Sequence, residues 1–174
     1  DHTDAITPIQ TRHEQGAAYM ATGAALATGE RQAFSVVPGP GFLNATAALS
    51  TAYGVNAPVL ALVGQIPTGA QGKGHGLLHE IPDQFGILER LTKPSHRVTG
   101  GGDAVGHVVD AFTSLVSGRP QPVGLEIAVN LWTQDVTGTV PDLAPPGRPA
   151  PAVDTDAIDR AAKLITSARA PMIV

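Results

Sequence analysis

Thr11-Arg12-His13-Glu14-Gln15-Gly16-Ala17-Ala18-Tyr19-Met20 is the stretch from which the rest of the chain can be read. It sets one carboxylate, Glu14, where a polar run gives way to a nearly all-apolar helix. Gly16, Ala17, Ala18, Ala21, Gly23, Ala24, Ala25 and Ala27 follow. A face of such small residues lets another backbone or a flat ligand come close. A carboxylate beside a dry surface resists ionisation, which makes Glu14 a candidate general acid/base whose pKa is expected to be raised. The plainer alternative is that Glu14 complements the positive end of a helix dipole.

Outward from this stretch, apolar runs and helical periods alternate. Residues 5–10 read as a short strand interrupted by Pro8. A helix is expected over 14–28, closed by Gly29. Residues 32–37 form an apolar strand, and Pro38-Gly39-Pro40-Gly41 a stiff turn. A second helix covers 42–53, and 58–63 has the continuous apolar character of a strand buried on both faces. The Gly-rich segment 65–76 has no hydrophobic period and reads as a long, flexible loop. Helical spacing returns over 83–91, a short strand over 96–98, a helix capped by Asp103 and ending at Val116, and a buried-type strand over 123–129.

This alternation predicts an α/β fold, a mostly parallel sheet flanked by helices, over residues 1–136. Five prolines between 137 and 152 indicate a linker. An amphipathic helix over 154–168 and an apolar run from 170 read as the start of a second α/β domain over 153–174.

A net charge of −4 gives no reason to expect nucleic acid or an anionic membrane as partner. The lack of cysteine removes disulfides and thiolate metal sites and fits a cytoplasmic protein. No apolar run is long enough to span a membrane.

Several motifs fail on their spacing. His13-Glu14 lacks the second histidine of the zinc-protease helix, since position 17 is Ala. Gly39-x-Gly41-x-x-Asn44 replaces the third glycine of a dinucleotide fingerprint and has no acidic residue near position 64. Gly72-Lys73-Gly74 lacks both the upstream glycine and the hydroxyl residue of a phosphate loop. His75, His79 and Glu80 form too sparse a set to define a metal site.

The opening stretch, followed by Val37-Pro38-Gly39-Pro40-Gly41-Phe42-Leu43-Asn44 and Pro58-Val59-Leu60-Ala61-Leu62-Val63-Gly64-Gln65-Ile66-Pro67, resembles thiamin-diphosphate enzymes of the acetolactate synthase and 2-oxoacid decarboxylase type. The likeness is to their pyrimidine-binding domain and runs from about Gln10 to Val129. It implies that Glu14 activates the cofactor's aminopyrimidine, generating an ylide that attacks a 2-keto substrate and leads to an enamine. Gly39, Pro40, Gly41 and Asn44 match the pyrimidine-contacting loop. Leu77-Leu78-His79-Glu80 falls where acetolactate synthases carry Ala-Phe-Gln-Glu. His79 is then a substrate-side acid/base, and Leu78 in place of an aromatic residue argues for a differently shaped pocket.

The same resemblance implies thiamin diphosphate as cofactor and a homodimer or tetramer sharing it between subunits. It also implies Mg²⁺ held by a domain absent from this chain, because no Gly-Asp-Gly motif with a downstream Asn occurs here. Whether FAD also binds is left open. Ala128 and Asn130 replace the usual Pro and Asp after the last strand, and only a short segment precedes Glu14. The chain therefore reads as part of a longer enzyme acting on a small 2-keto acid or diketone. The alternatives are a thiamin-diphosphate decarboxylase, a benzaldehyde-lyase-like enzyme, a cyclic-diketone hydrolase, a degenerate regulatory α/β domain, or a nucleotide-binding module.

Overall fold

The computed structural model describes residues 6–137 and 152–172. The expected alternation is present as α1 (Glu14–Thr28), β1 (Gln32–Val36), α2 (Pro40–Gly54), β2 (Val59–Gln65), α3 (Gln84–Leu91), β3 (Ser95–Val98), α4 (Ala104–Val116), β4 (Val123–Ala128) and α5 (Thr155–Ser167). The four strands form one sheet in the order β1-β2-β4-β3, and every pairing is parallel. All four carboxyl ends therefore lie along one edge, where ligands of open α/β sheets bind.

Helices cover both faces of the sheet. Phe34, Val36, Val59, Ala61, Val63 and Leu88 pack with the small side chains of α1 and α2 on one face. Leu60, Val98, Ala111, Leu115, Val123 and Leu125 form the core beneath α4 on the other. The alternation of Val59, Ala61 and Val63 against Leu60 shows why this strand reads as continuously apolar: it is buried from both sides. The alanines of α1 and α2 let these helices pack against each other, with Ala18, Ala45, Ala48 and Ala52 fully buried. Gly29, at φ 73°, ends α1 and donates its amide to the Ala25 carbonyl at 2.9 Å.

Some local expectations are corrected. Residues 6–10 form no strand; they are exposed, because Pro8 removes a backbone donor and no described strand pairs with them. Pro40 and Gly41 belong to the first turn of α2 rather than to a separate turn, since proline needs no amide partner there. Asp103 sits at the N-cap of α4 but makes no capping bond; its carboxylate accepts from the amides of Thr99 and Gly100 instead. The loop over 65–76 contains a short 3-10 turn, Thr68–Ala70. Most of the proline-rich stretch 137–152 lies outside the described residues. α5 is capped by Asp154, which accepts from the Ala157 amide at 2.9 Å, and Ile158, Leu164 and Ile165 on it are exposed. The run from 170 shows no strand through 172, and its last two residues lie outside the description.

Beneath α3 the sheet carries a buried carboxylate. Glu126 of β4 has no exposed surface. Its Oε1 accepts from Arg97 Nε of β3 at 2.6 Å, and its Oε2 accepts from Gln84 Nε2 at 2.8 Å and Gln65 Nε2 at 3.1 Å. The Arg97 guanidinium also lies 4.4 Å from the Phe85 ring centroid. A buried carboxylate needs such partners, because uncompensated charge in a protein interior is costly. Replacing Arg97 by Leu is expected to lower unfolding stability by about 3 kcal/mol. Urea denaturation of the two proteins measures it, and a loss near zero would show that Glu126 does not depend on its cation.

Candidate active site

The carboxyl edge of the sheet brings together three segments: the start of α1, the β1–α2 turn, and the loop after β2. His13 caps α1, its Nδ1 accepting the Gln15 amide at 3.2 Å. This cap places Glu14 at the first helical position. There the half-buried carboxylate meets α2, and Asn44 Nδ2 donates to Glu14 Oε2 at 3.1 Å. Glu14 also lines a cleft of about 350 Å³ with Arg12, His13 and Val37.

The turn before α2 is shaped by glycine. Gly39 adopts φ 60° and ψ −116°, a conformation open essentially to glycine alone. A Cβ there would overlap the His79 carbonyl oxygen and lie 2.9 Å from its carbonyl carbon. A Cβ on Gly41 would stand 2.5 Å from Val37 Cγ2 and 3.6 Å from Glu14 Oε1. The two glycines thus admit the His79 backbone on one side and keep the approach to Glu14 clear on the other. Pro40 stands exposed at the first position of α2.

The expectation that dry surroundings raise the Glu14 pKa is overturned. The carboxyl is held below its ordinary value, first by the backbone amide of Glu14 and next by the Asn44 side chain. Partial burial opposes them, and nearby His13 adds a small further lowering. The amide of Glu14 itself and the Asn44 side chain favour the charged carboxylate, and partial burial is too weak to outweigh them. Glu14 is therefore an ionised acceptor at neutral pH.

His79 is half-buried, lies against the Gly39 turn through its backbone, and takes the left-handed conformation at φ 71°. The loop leading to it is not structureless. Glu80 Oε1 accepts from the Gly74 amide at 3.1 Å and Oε2 from the Leu77 amide at 2.9 Å. Gly72, Gly74 and Gly76 all have positive φ, which lets the chain coil around this carboxylate. The backbone amides of the loop thus occupy the Glu80 carboxylate. Among the described residues, no three His, Cys, Asp or Glu side chains converge on a common point suited to a metal ion. At the far side of the edge, Asn130 joins the loop to β4: its Oδ1 accepts from the Thr68 amide at 2.9 Å and its Nδ2 donates to Thr68 Oγ1 at 3.1 Å.

Glu14, Asn44 and the Gly39–Gly41 turn thus converge, with His79 beside them. The sequence reading missed Gln84, which accepts the Gly39 amide at 2.7 Å, and Glu126 beneath it. One signal was available: Glu126 interrupts the otherwise apolar run Val123-Gly124-Leu125-Glu126-Ile127-Ala128. A carboxylate in a buried strand has to have partners.

Fold and site together define an α/β domain that presents a carboxylate at the carboxyl edge of a parallel sheet. The chain belongs to the thiamine pyrophosphate enzymes: residues 1–87 match the family model described as their N-terminal TPP binding domain. Over 97% of its length it is 31% identical to a protein named a probable 2-ketoarginine decarboxylase from Pseudomonas aeruginosa, covering 30% of that protein. It is 37% identical to an acetolactate synthase of Arthrospira platensis, over 93% of this chain and 28% of that one. The fold matches a thiamine diphosphate-dependent 4-hydroxybenzoylformate decarboxylase of Rhodococcus jostii with a TM-score of 0.78 at 23% identity, over 92% of this chain and 30% of that one. The chain thus spans less than a third of the length of these relatives. Among the described residues, no helix is long and apolar enough to cross a membrane.

Glu80 gives the loop a pH dependence of definite sign. Its pKa is lowered, chiefly by the Leu77 amide, with burial opposing. The stabilisation it gives the loop is therefore complete above its ordinary value and disappears as pH falls through the lower folded one. Glu80→Gln is expected to speed amide exchange at Gly74 and Leu77 at neutral pH and to abolish the acid-dependent step expected of the native protein. Hydrogen exchange read by mass spectrometry on the loop peptide checks both; unchanged exchange at neutral pH would refute the carboxylate's role.

Proposed function

We propose that this chain supplies the pyrimidine side of a thiamin-diphosphate site in an enzyme acting on 2-keto acids or related carbonyl compounds, in the manner of acetolactate synthase. The observation that carries the reading is the Glu14 carboxylate, held by Asn44 Nδ2 at 3.1 Å beside the Gly39–Gly41 turn. When bound, thiamin diphosphate supplies the chemistry that breaks and forms carbon–carbon bonds next to a carbonyl group. The residues of the chain fit its aminopyrimidine: a carboxylate for a proton-bearing ring nitrogen, and a turn with an exposed proline and a glycine beside that carboxylate for the flat ring.

In this reading Glu14 holds a proton shared with the ring nitrogen in a charge-assisted hydrogen bond. Asn44 fixes the orientation of the carboxylate by binding Oε2, which leaves Oε1 towards the turn. Covering Glu14 with a ring and a second subunit would add burial and move its pKa back upward, towards the range useful for proton transfer. The Gly39–Gly41 turn faces the ring: Gly39 lets the turn close on the His79 backbone, Gly41 leaves room beside Glu14, and Pro40 packs against the ring. His79 is assigned to proton transfer on the substrate side.

Residues 1–136 form the pyrimidine-binding domain, 137–152 a linker, and 153–174 the start of a central domain, for which the uncovered apolar side chains of α5 offer support. Mg²⁺ and the diphosphate are assigned to residues outside this sequence and to a second subunit, giving a homodimer or tetramer. FAD is left unassigned. The lack of cysteine suits a reducing compartment such as the cytoplasm.

A second reading within the same class is a 2-keto acid decarboxylase, a lyase rather than a transferase. It is favoured by His79 at the position where acetolactate synthases carry glutamine, and by the likeness to a protein named for 2-ketoarginine decarboxylation.

The test uses the full-length protein with thiamin diphosphate and Mg²⁺. Proton–deuteron exchange at the thiazolium carbon, followed by quenched-flow NMR, requires no choice of substrate. Glu14→Gln is expected to slow exchange by about 100-fold or more. Asn44→Ala, which frees the carboxylate without removing it, is expected to slow exchange by about tenfold. A native protein that exchanges the proton no faster than free cofactor, or a Glu14→Gln variant equal to it, would instead identify a degenerate domain.

A further inference from the structure

The turn at Gly39 is held by a group outside the expected site. Gln84, the first residue of α3, is 2% exposed. Its Oε1 accepts the Gly39 amide at 2.7 Å. Its Nε2 donates to the Gly64 carbonyl at 2.9 Å and to Glu126 Oε2 at 2.8 Å. Both hydrogens of the carboxamide nitrogen thus have acceptors, and the oxygen has its donor. Turning the amide over would set its oxygen against a carbonyl and a carboxylate, and its NH₂ against an N–H donor. The orientation is therefore fixed by Glu126, which is in turn fixed by Arg97.

Gly39 is clamped from two directions, by the Gln84 oxygen on its amide and by the His79 backbone on the side where a Cβ would stand. It is also the N-cap of α2 and makes no side-chain capping bond. The direction in which α2 leaves the turn then depends on the Gln84 anchor, and α2 carries Asn44 to Glu14.

We propose that Gln84 is a positioning residue for the pyrimidine site: its carboxamide, locked by Glu126 and the Gly64 carbonyl, holds the Gly39 amide and so sets the path of α2 that brings Asn44 to Glu14. This rests on the reading of the Gly39–Asn44 segment as the cofactor contact. Gln84 touches neither Glu14 nor Asn44 through a hydrogen bond; it acts through the backbone between them. Glu126 and Arg97 serve as the support that fixes the carboxamide.

The experiment is done on the full-length protein with two readouts: exchange of the Gly39 amide, by mass spectrometry of peptides fragmented to single residues, and the dissociation constant for thiamin diphosphate with Mg²⁺. Gln84→Leu leaves the buried Gly39 amide without an acceptor. It is expected to speed exchange at Gly39 and to weaken cofactor binding, each by about tenfold. Gln84→Glu keeps an acceptor for Gly39 but sets a second carboxylate against Glu126, and is expected to fail similarly. Leu115→Ala, which empties space in the core beneath α4, controls for general destabilisation and is expected to leave cofactor affinity unchanged.

Gln84→Leu with native Gly39 exchange and native affinity would overturn the proposal, as would Gln84→Glu with native affinity. A native protein that fails to bind thiamin diphosphate would sink the functional reading instead. Gly39 exchange would then still decide whether Gln84 anchors the turn.

Discussion

A carboxylate with no access to solvent must be surrounded by donors, and at the carboxyl edge of this sheet Glu126 imposes that requirement on its neighbours. Arg97 comes from β3, Gln65 from the end of β2, and Gln84 from the start of α3. One buried charge thereby joins three parts of the fold where their loops diverge. The apolar cores on either face of the sheet supply most of the burial, but such contacts have little directional preference. The hydrogen bonds to Glu126 do have one. They fix the start of α3 against the sheet, and through Gln84 they fix the backbone that opens α2.

The site above this network follows a division between rigid supports and bare backbone. Glu14 and Asn44 each stand on a helix within its first turns, so the packing of α1 on α2 and the anchor at the Gly39 turn together set the distance between them. Between them the chain offers glycine, which lets one backbone approach another and leaves room beside the carboxylate. The loop after β2 is ordered by a different means. It wraps its own amides around Glu80 and is fastened to the end of β4 by Asn130 and Thr68. That arrangement carries His79 to the Gly39 turn in a left-handed conformation. It also gives Asn130 a definite job at a position where the family resemblance led to aspartate.

The electrostatics of Glu14 show how local geometry can reverse an expectation drawn from composition. The alanine- and glycine-rich helix after it suggested a dry setting. Yet the apolar side chains lie along α1, whereas the carboxylate lies at its start, beside its own backbone amide and Asn44. Donor groups within bonding distance outweigh partial burial. An ionised, oriented carboxylate is also the form in which the site can receive a proton-bearing ligand atom.

The sequence by itself determined the alternation of strands and helices, the limits of α1, the parallel sheet and the family, because these depend on local periodicity, capping residues and short motifs. Glu14, Asn44 and the Gly39–Gly41 turn were legible for the same reason: each belongs to a motif carried on a contiguous segment. Only the tertiary structure decided how the site is supported. Gln84 and Glu126 lie 42 residues apart, and Gly39 lies 45 from Gln84, so their pairing is created by the strand order β1-β2-β4-β3 and by the docking of α3. The fate of Glu80 and the lowered pKa of Glu14 were likewise settled by which backbone amides the folded chain turns towards them, a matter of dihedral angles and packing that no residue-type pattern encodes.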